Sequence, residues 1–205
     1  MEALVTPMGR VDPMVHAAML KWPNVPDVYG WLKLDARGRW HIRNSPINQP
    51  ALEAFINRNY LSDASGRWFF QNGPQRVFVT FELTPWVLRL SPDGALGSHT
   101  GIPWPAVDAV WLDDAGHLLV SGPSGLGLIH DADLAAASER LAWRDGTPAT
   151  LESLLADKEP PPDIGIELAA GWRPIAAIEA HALGKRFGFV ANPKPNDKEA
   201  AQPRP

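Results

Sequence analysis

The hexapeptide Asp-Ala-Arg-Gly-Arg-Trp begins at Asp35, and Asp-Ala-Ser-Gly-Arg-Trp begins at Asp63. A phrase written twice with its Asp, Gly, Arg and Trp in register constrains the fold more than any other feature of the chain, because it marks one local structure used again. The first copy runs on through Ile42 and Asn44 to Pro46, and the second through Phe70 and Asn72 to Pro74, so an Asn and a Pro keep register as well. A third, weaker copy, Asp113-Asp-Ala-Gly116-His-Leu118, leads to Gly122-Pro123 and is one residue shorter between its Gly and its Pro. The physical reading is a hairpin. The Asp accepts local backbone hydrogen bonds, the Gly takes the positive φ that closes a short loop, and the large apolar residue begins the return strand. Around the first copy, Trp-Leu-Lys-Leu-Asp and Trp-His-Ile-Arg-Asn alternate apolar with polar residues, as strands with one buried face do. A second reading makes Arg39 and Arg67 a paired clamp for an anion.

The segments after the hairpins enlarge the repeat. Pro50 opens a segment with Leu52, Phe55, Ile56 and Tyr60 on one helical face, and Pro suits a first helical turn. After the third copy, Asp131 is expected to cap a helix reaching Leu141. Arg76–Leu83 and Trp86–Leu90 read as strands, Ser91-Pro-Asp-Gly94 as a turn, and 148–157 as a helix capped by Thr147. Lys158–Asp163 breaks regular structure, a short apolar segment comes next at Ile175–Ile178, and the Pro- and Lys-rich end from Asn192 is expected to be disordered. The expected fold is therefore α+β and rich in strand: two related units of curved antiparallel sheet carrying β-hairpins and short packed helices. The expected division is 1–26 an N-terminal arm, 27–83 the first hairpin-helix unit, 84–159 the second, 160–191 an extension packed on the core, and 192–205 the tail.

The run Gly-Arg-Trp-His-Ile-Arg-Asn-Ser-Pro-Ile, with the helix behind it and the strand Arg76–Leu83 beyond, resembles an uncharacterised bacterial family of α+β proteins with repeated hairpin-helix motifs. Gly38, Trp40, Ser45, Pro46 and Ile47 carry most of the likeness, which spans 29–141. The chain departs from that pattern at Asn72-Gly-Pro-Gln75, where the family has an apolar strand with Thr-Pro. The resemblance implies a two-part fold and a role in signal transduction; it implies no reaction and supplies no catalytic residues.

Composition narrows the function classes. The chain has no cysteine, which removes disulfides and thiolate metal sites and favours a reducing compartment. No stretch approaches the ~20 apolar residues of a membrane-spanning helix, so the expected location is the cytoplasm, with no membrane partner. From Trp31 to Thr80 seven Lys and Arg face three acids, whereas from Asp108 to Asp163 eleven acids face three bases. Such asymmetry steers a charged partner or draws two parts of one molecule together. The net charge of −4 argues against nucleic acid.

The six histidines, at 16, 41, 99, 117, 130 and 181, never recur at the three-to-five spacing of a local metal site. Ser121–Gly127 is glycine-rich without the Lys of a phosphate loop or the Gly-x-Ser-x-Gly of a nucleophile elbow. No catalytic residue, metal ligand or cofactor is assigned. Among nine tryptophans, Trp40, Trp68 and Trp111 are expected in the core, and Trp22, Trp86 and Trp104, each beside a proline, in loops or strand ends that either border a groove as an interface or, the reading preferred, pack onto the domain. The reading preferred on these grounds is a non-enzymatic regulatory or adaptor protein that binds a protein or a small anionic ligand through Arg39, Arg43, Arg67, Arg76, Trp86 and Trp104. The alternative is an enzyme using the His130/Asp133 region on a small substrate.

Overall fold

The structure, a computed structural model, describes residues 5–6 and 9–195, with side chains from Val11 onward. From residue 196 the expected tail lies outside the described residues. Two compact units divide the chain: unit 1 holds Met1–Asp35, Arg39–Leu83 and Gly188–Pro205, and unit 2 holds Ala36–Gly38 and Thr84–Phe187.

The repeated hexapeptide is a hairpin turn, and the structure uses it more often than the sequence announces. In both copies the first Asp and the fifth residue close the loop: Asp35 N–H donates to the Arg39 carbonyl at 3.1 Å, and Asp63 N–H to Arg67 at 2.9 Å. Asp113 does the same to His117 at 3.0 Å, Ser91 to Ala95 at 2.9 Å and Trp143 to Thr147 at 2.8 Å. The fourth residue is each time a glycine with positive φ, between 73° and 86° at Gly38, Gly66, Gly94, Gly116 and Gly146, the conformation in which a Cβ is strained. In the three Asp-led turns one carboxylate oxygen accepts the backbone N–H of residue i+4 and the other takes that residue's side chain: Arg39 at 2.8 Å, Arg67 at 2.7 Å and His117 at 2.8 Å. The Ser91 and Trp143 turns lack this Asp and instead use Asp93 and Asp145 two residues later, which accept from Ala95 and Thr147.

Unit 1 begins with the pair β1 (Val5–Thr6) and β2 (Gly9–Arg10) and the helix α1 (Pro13–Lys21). Two antiparallel three-strand meanders come after it. The first is β3 (Val28–Leu34), β4 (Trp40–Ile42) and β5 (Ser45–Pro46); helix α2 (Pro50–Arg58) leads to the second, β6 (Tyr60–Ser62), β7 (Trp68–Asn72) and β8 (Gln75–Phe81). They merge into one six-stranded sheet in the order β5-β4-β3-β8-β7-β6 through a parallel pairing of β3 with β8. Strand alternation splits β7 between two cores. Phe69 joins Phe78, Leu61 and the α1-side residues Val11 and Val15, while Phe70 meets Phe55 of α2 edge-on at 5.3 Å. Trp40, only 2% exposed, stacks edge-on to Tyr60 at 5.2 Å and donates its indole N–H to Asn57 of α2 at 2.7 Å. The buried Asn59 ends α2 by donating to the Phe55 carbonyl and accepts the Asp12 N–H, tying α2 to the start of α1. Past Gly188 the chain is again part of unit 1: Val190 N–H donates to Gly66 and Phe81 N–H to Ala191.

Unit 2 is an eight-stranded sheet. Its strands are β9 (Trp86–Leu90), β10 (Leu96–Ser98), β11 (Ala109–Asp113), β12 (Leu118–Gly122), β13 (Gly125–Ile129), β14 (Leu141–Trp143), β15 (Ile164–Leu168) and β16 (Gly171–Ile178). The order is β10-β9-β13-β12-β11-β16-β15-β14, with parallel joints β13·β9 and β11·β16 between antiparallel hairpins. From the Asp113 turn the path runs strand, two-residue turn, strand, helical segment, strand, as it does from the Asp35 turn through α2 to β6. The α+β, strand-rich class expected from the repeat is the class observed; the parallel joints are the added feature.

Three local readings change. The expected helix from Asp131 is a 3-10 turn over Asp131–Asp133 followed by α3 (Leu134–Ser138), and its cap is His130, whose Nδ1 accepts the Ala132 N–H. The expected helix over 148–157 shrinks to α4 (Leu151–Leu154), capped by Thr150 rather than Thr147, because Thr147 closes the turn with Asp145 and Pro148 bridges to Ala142. The apolar segment Ile175–Ile178 is the end of a longer strand, and its neighbour β15 went unread although Ile-Gly-Ile-Glu-Leu alternates. A last short helix, α5 (Leu183–Phe187), closes unit 2.

Candidate functional site

The two meanders of unit 1 are unequal, and the inequality opens a groove. β7 runs five residues before its turn at Gly73–Pro74, whereas β4 runs three before turning at Arg43–Asn44. β4 therefore pairs only with Leu32, Lys33 and Leu34, leaving the earlier half of β3 without a β4 partner. A large ring and a branched side chain are stranded there: Trp31 is 48% and Ile42 43% exposed. They border an open groove of about 520 Å³ whose walls also come from α2, β7 and β8. Buried Leu32, Ile56 and Phe70 form its floor, and Leu52 and Phe55 stand above them. The polar side chains of the lining are Asn72 and Gln75, and the Gln75 amide already donates to the Pro26 carbonyl at 3.0 Å. The volume and the apolar wall with few polar groups are those of a small-molecule site.

At the short turn sits Arg43. Its φ of 57° makes it, among the described residues, the non-glycine residue with a left-handed backbone, a conformation that costs a residue with a Cβ about 1 kcal/mol or more. Its N–H donates to the Trp31 carbonyl at 2.6 Å, and its guanidinium lies over the Trp31 ring at 4.1 Å. Among the described residues no carboxylate pairs with it.

The other arginines singled out from sequence are engaged elsewhere. Arg39 is held by Asp35 in its turn, and the same Asp35 oxygen is 2.8 Å from His41 Nε2. Arg67 is held by Asp63, reaches the Tyr29 hydroxyl at 3.3 Å and covers the Phe78 ring at 4.7 Å. Arg76 covers Phe69 at 4.9 Å. None of the four contributes to the groove lining; the Arg43 side chain lies over Trp31, which does, whereas the Arg76 side chain, between the lining residues Gln75 and Val77, covers Phe69 on the other face of the sheet. Trp86 and Trp104 are packed onto the domain and are not the exposed binding surface of the other reading: Trp86 is 1% exposed and donates to the Ser124 carbonyl, and Trp104 is 5% exposed and meets Trp86 edge-on at 5.9 Å. The adjacent prolines mark the start of β9 at Trp86 and the connection before β11 at Trp104, not exposure, because the ring outweighs the loop in what it gains by burial. Trp104 also lines a smaller cavity of about 310 Å³ in unit 2 with Leu96, Val107 and Leu168. Trp22 is exposed, whereas Trp111 is half-buried beneath Arg186 at 4.1 Å.

In the His130/Asp133 region the carboxylate of Asp133 accepts two bonds from Arg89, at 2.6 and 2.9 Å, and one from the Leu90 N–H at 3.0 Å. The Arg89 hydrogen bond holds its pKa below the ordinary carboxylate value, so it stays an anion that latches the 3-10 turn to β9. Asp131 is likewise held low by Arg37, 2.7 Å away. Burial raises the pKa of Tyr60 and lowers that of His99 to about 3, and the His99 Nδ1 accepts the Val87 N–H at 3.3 Å. Among the described residues no three His, Asp or Glu side chains gather as a metal site requires, and no described helix is long and apolar enough to cross a membrane.

The sequence has a counterpart among known families. The chain belongs to the family described as "Protein of unknown function (DUF2946)", whose profile matches residues 11–194. No curated protein matches it. Among solved structures it is similar to a DUF1285 family protein from Silicibacter pomeroyi DSS-3, at 16% identity over 82% of this chain and 88% of that one, with a TM-score of 0.49. A DUF1285 family protein from Shewanella baltica OS155 is 17% identical over 52% of this chain and 89% of that one, with a TM-score of 0.40.

The groove residues Trp31, Ile42, Leu52 and Phe55 were missed as a site. Leu52, Phe55 and Ile56 carry the spacing of an ordinary core stripe, and the Asn and Pro that keep register between the copies conceal the two-residue shortening of β4.

Proposed function

We propose that the protein is a non-enzymatic regulatory or adaptor protein of the bacterial cytoplasm that binds a small anionic ligand in the unit 1 groove, with a role in signal transduction. One observation carries the reading: an apolar groove of about 520 Å³ has at its rim a cation, Arg43, that no described carboxylate neutralises. An apolar wall supplies affinity by losing water, and a charge at its edge selects the sign of the ligand. The sequence resemblance supports the signalling role. Absence of catalysis is favoured by the His130/Asp133 geometry, where the one buried carboxylate already has its oxygens committed to Arg89 and Leu90.

The test is fluorescence titration with 8-anilinonaphthalene-1-sulfonate, an anion with an apolar body. The wild type is expected to bind it saturably with quenching or transfer from Trp31, and Ile42→Glu, which sets a carboxylate in the groove wall at a half-exposed position, is expected to abolish binding without lowering the melting temperature. Equal binding by both proteins would place the site elsewhere and remove the groove from the reading.

A further inference from the structure

The charge of Arg43 is presented in a particular way, and that presentation narrows the ligand class. The guanidinium carbon lies over the Trp31 ring, 4.1 Å from its centroid. A guanidinium carries its N–H donors in its own plane, directed outward from its edge, and two of them match the two oxygens of a carboxylate. No hydrogen bond to the described residues uses those donors. The backbone beneath it has the φ of 57° that a two-residue hairpin turn asks of its first residue, as Gly73 at 58° has in the turn between β7 and β8, so the turn fixes where the side chain starts.

Counting charges narrows it further. Phosphates and nucleotides gather several cations or a row of backbone N–H groups, whereas among the described residues this groove has one uncompensated cation at its rim, Arg43, and an apolar wall of Trp31, Ile42, Leu52, Phe55 and Phe70. One charge and one apolar body fit a monoanion. Resting on the proposed function, we infer that the groove binds an aliphatic monocarboxylate, its chain over the α2 and sheet side chains and its carboxylate paired side-on with Arg43.

Isothermal titration of the full chain with decanoate, decanol and decyltrimethylammonium tests this, using wild type and Arg43→Gly. Glycine accepts φ 57° freely, so the variant removes the charge while its melting temperature stays equal or rises. Decanoate is expected to bind the wild type with one site per chain. Arg43→Gly should weaken it about tenfold, which corresponds to about 1.4 kcal/mol, while decanol binding does not change. Raised salt should weaken decanoate in the wild type alone, as an exposed charge contact is screened over ~10 Å at 0.1 M. Decanol or decyltrimethylammonium binding as tightly as decanoate, or a decanoate affinity that Arg43→Gly leaves intact, would overturn the assignment. If 8-anilinonaphthalene-1-sulfonate binds and decanoate does not, the carboxylate inference falls and the ligand groove stands; if neither binds, both fall.

Discussion

Acid should weaken unit 2 through one histidine. The His99 ring is buried against Trp86, 5.8 Å between centroids, and burial lowers its pKa from 6.5 to about 3. On going from about pH 7 to about pH 5 the unfolded chain takes up a proton at this residue while the folded imidazole stays neutral, so the unfolded state binds more protons throughout the window. The stabilisation is complete above the unfolded pKa and is lost as pH falls towards the folded one. With 1.36 kcal/mol per unit, the loss over these two pH units is about 2 kcal/mol. Asp114, Asp131, Asp133 and Asp145 are all held below the ordinary carboxylate value, and they remain ionised across the same window. The assay is urea unfolding at both pH values, for wild type and for His99→Asn, whose amide oxygen can accept the Val87 N–H in place of Nδ1. The substitution leaves a cavity cost that is the same at each pH, and the contributions of the other histidines cancel in the comparison. The wild type should lose about 2 kcal/mol more than the variant between the two pH values. An identical pH dependence in both proteins would refute the reasoning, because it would mean that the folded imidazole protonates as readily as the unfolded one.

Gly66 and Gly116 occupy equivalent turns, but a Cβ at Gly66 would collide with the Gly188 carbonyl while one at Gly116 meets open space; Gly66→Ala should cost about 3 kcal/mol and Gly116→Ala about 1 kcal/mol, read from denaturant midpoints. Trp40→Ala and Trp68→Ala should each cost about 3–5 kcal/mol in thermal or urea unfolding, since both rings are buried and Trp40 also leaves Asn57 without its indole donor. Arg39→Ala should cost at most about 1 kcal/mol, because its side chain is 59% exposed. Arg67→Ala should cost more, about 1–2 kcal/mol, because that side chain is 20% exposed and also covers Phe78 and bonds Tyr29; equal effects would show that the second turn's arginine is no better anchored than the first's.

The range of the forces involved decides how much of the fold and of the groove was legible in the sequence. The turn at Asp35, its copy at Asp63 and the fainter one at Asp113 were readable because every partner lies within four residues: the Asp, the Gly at positive φ and the side chain at i+4 make a closed local set. The strand alternation and the α+β class came from the same local patterning, and Trp40 and Trp68 could be placed in the core by their position after the turn. What tertiary structure alone decided depends on contacts far apart in the chain. The parallel joint of β3 with β8 brings Val28–Leu34 beside Val77–Phe81, and no local pattern announces it. For Trp86 and Trp104 the neighbouring prolines left packing and a groove surface both open, because the prolines are local while the contacts that bury the rings are not. Arg39 and Arg43 are four residues apart and look alike in sequence; one is neutralised by its own turn, and the other is left charged at a groove because β4 stops two residues short. That shortening is a property of strand pairing, set by which backbone groups find partners across the sheet, and only the folded chain determines it.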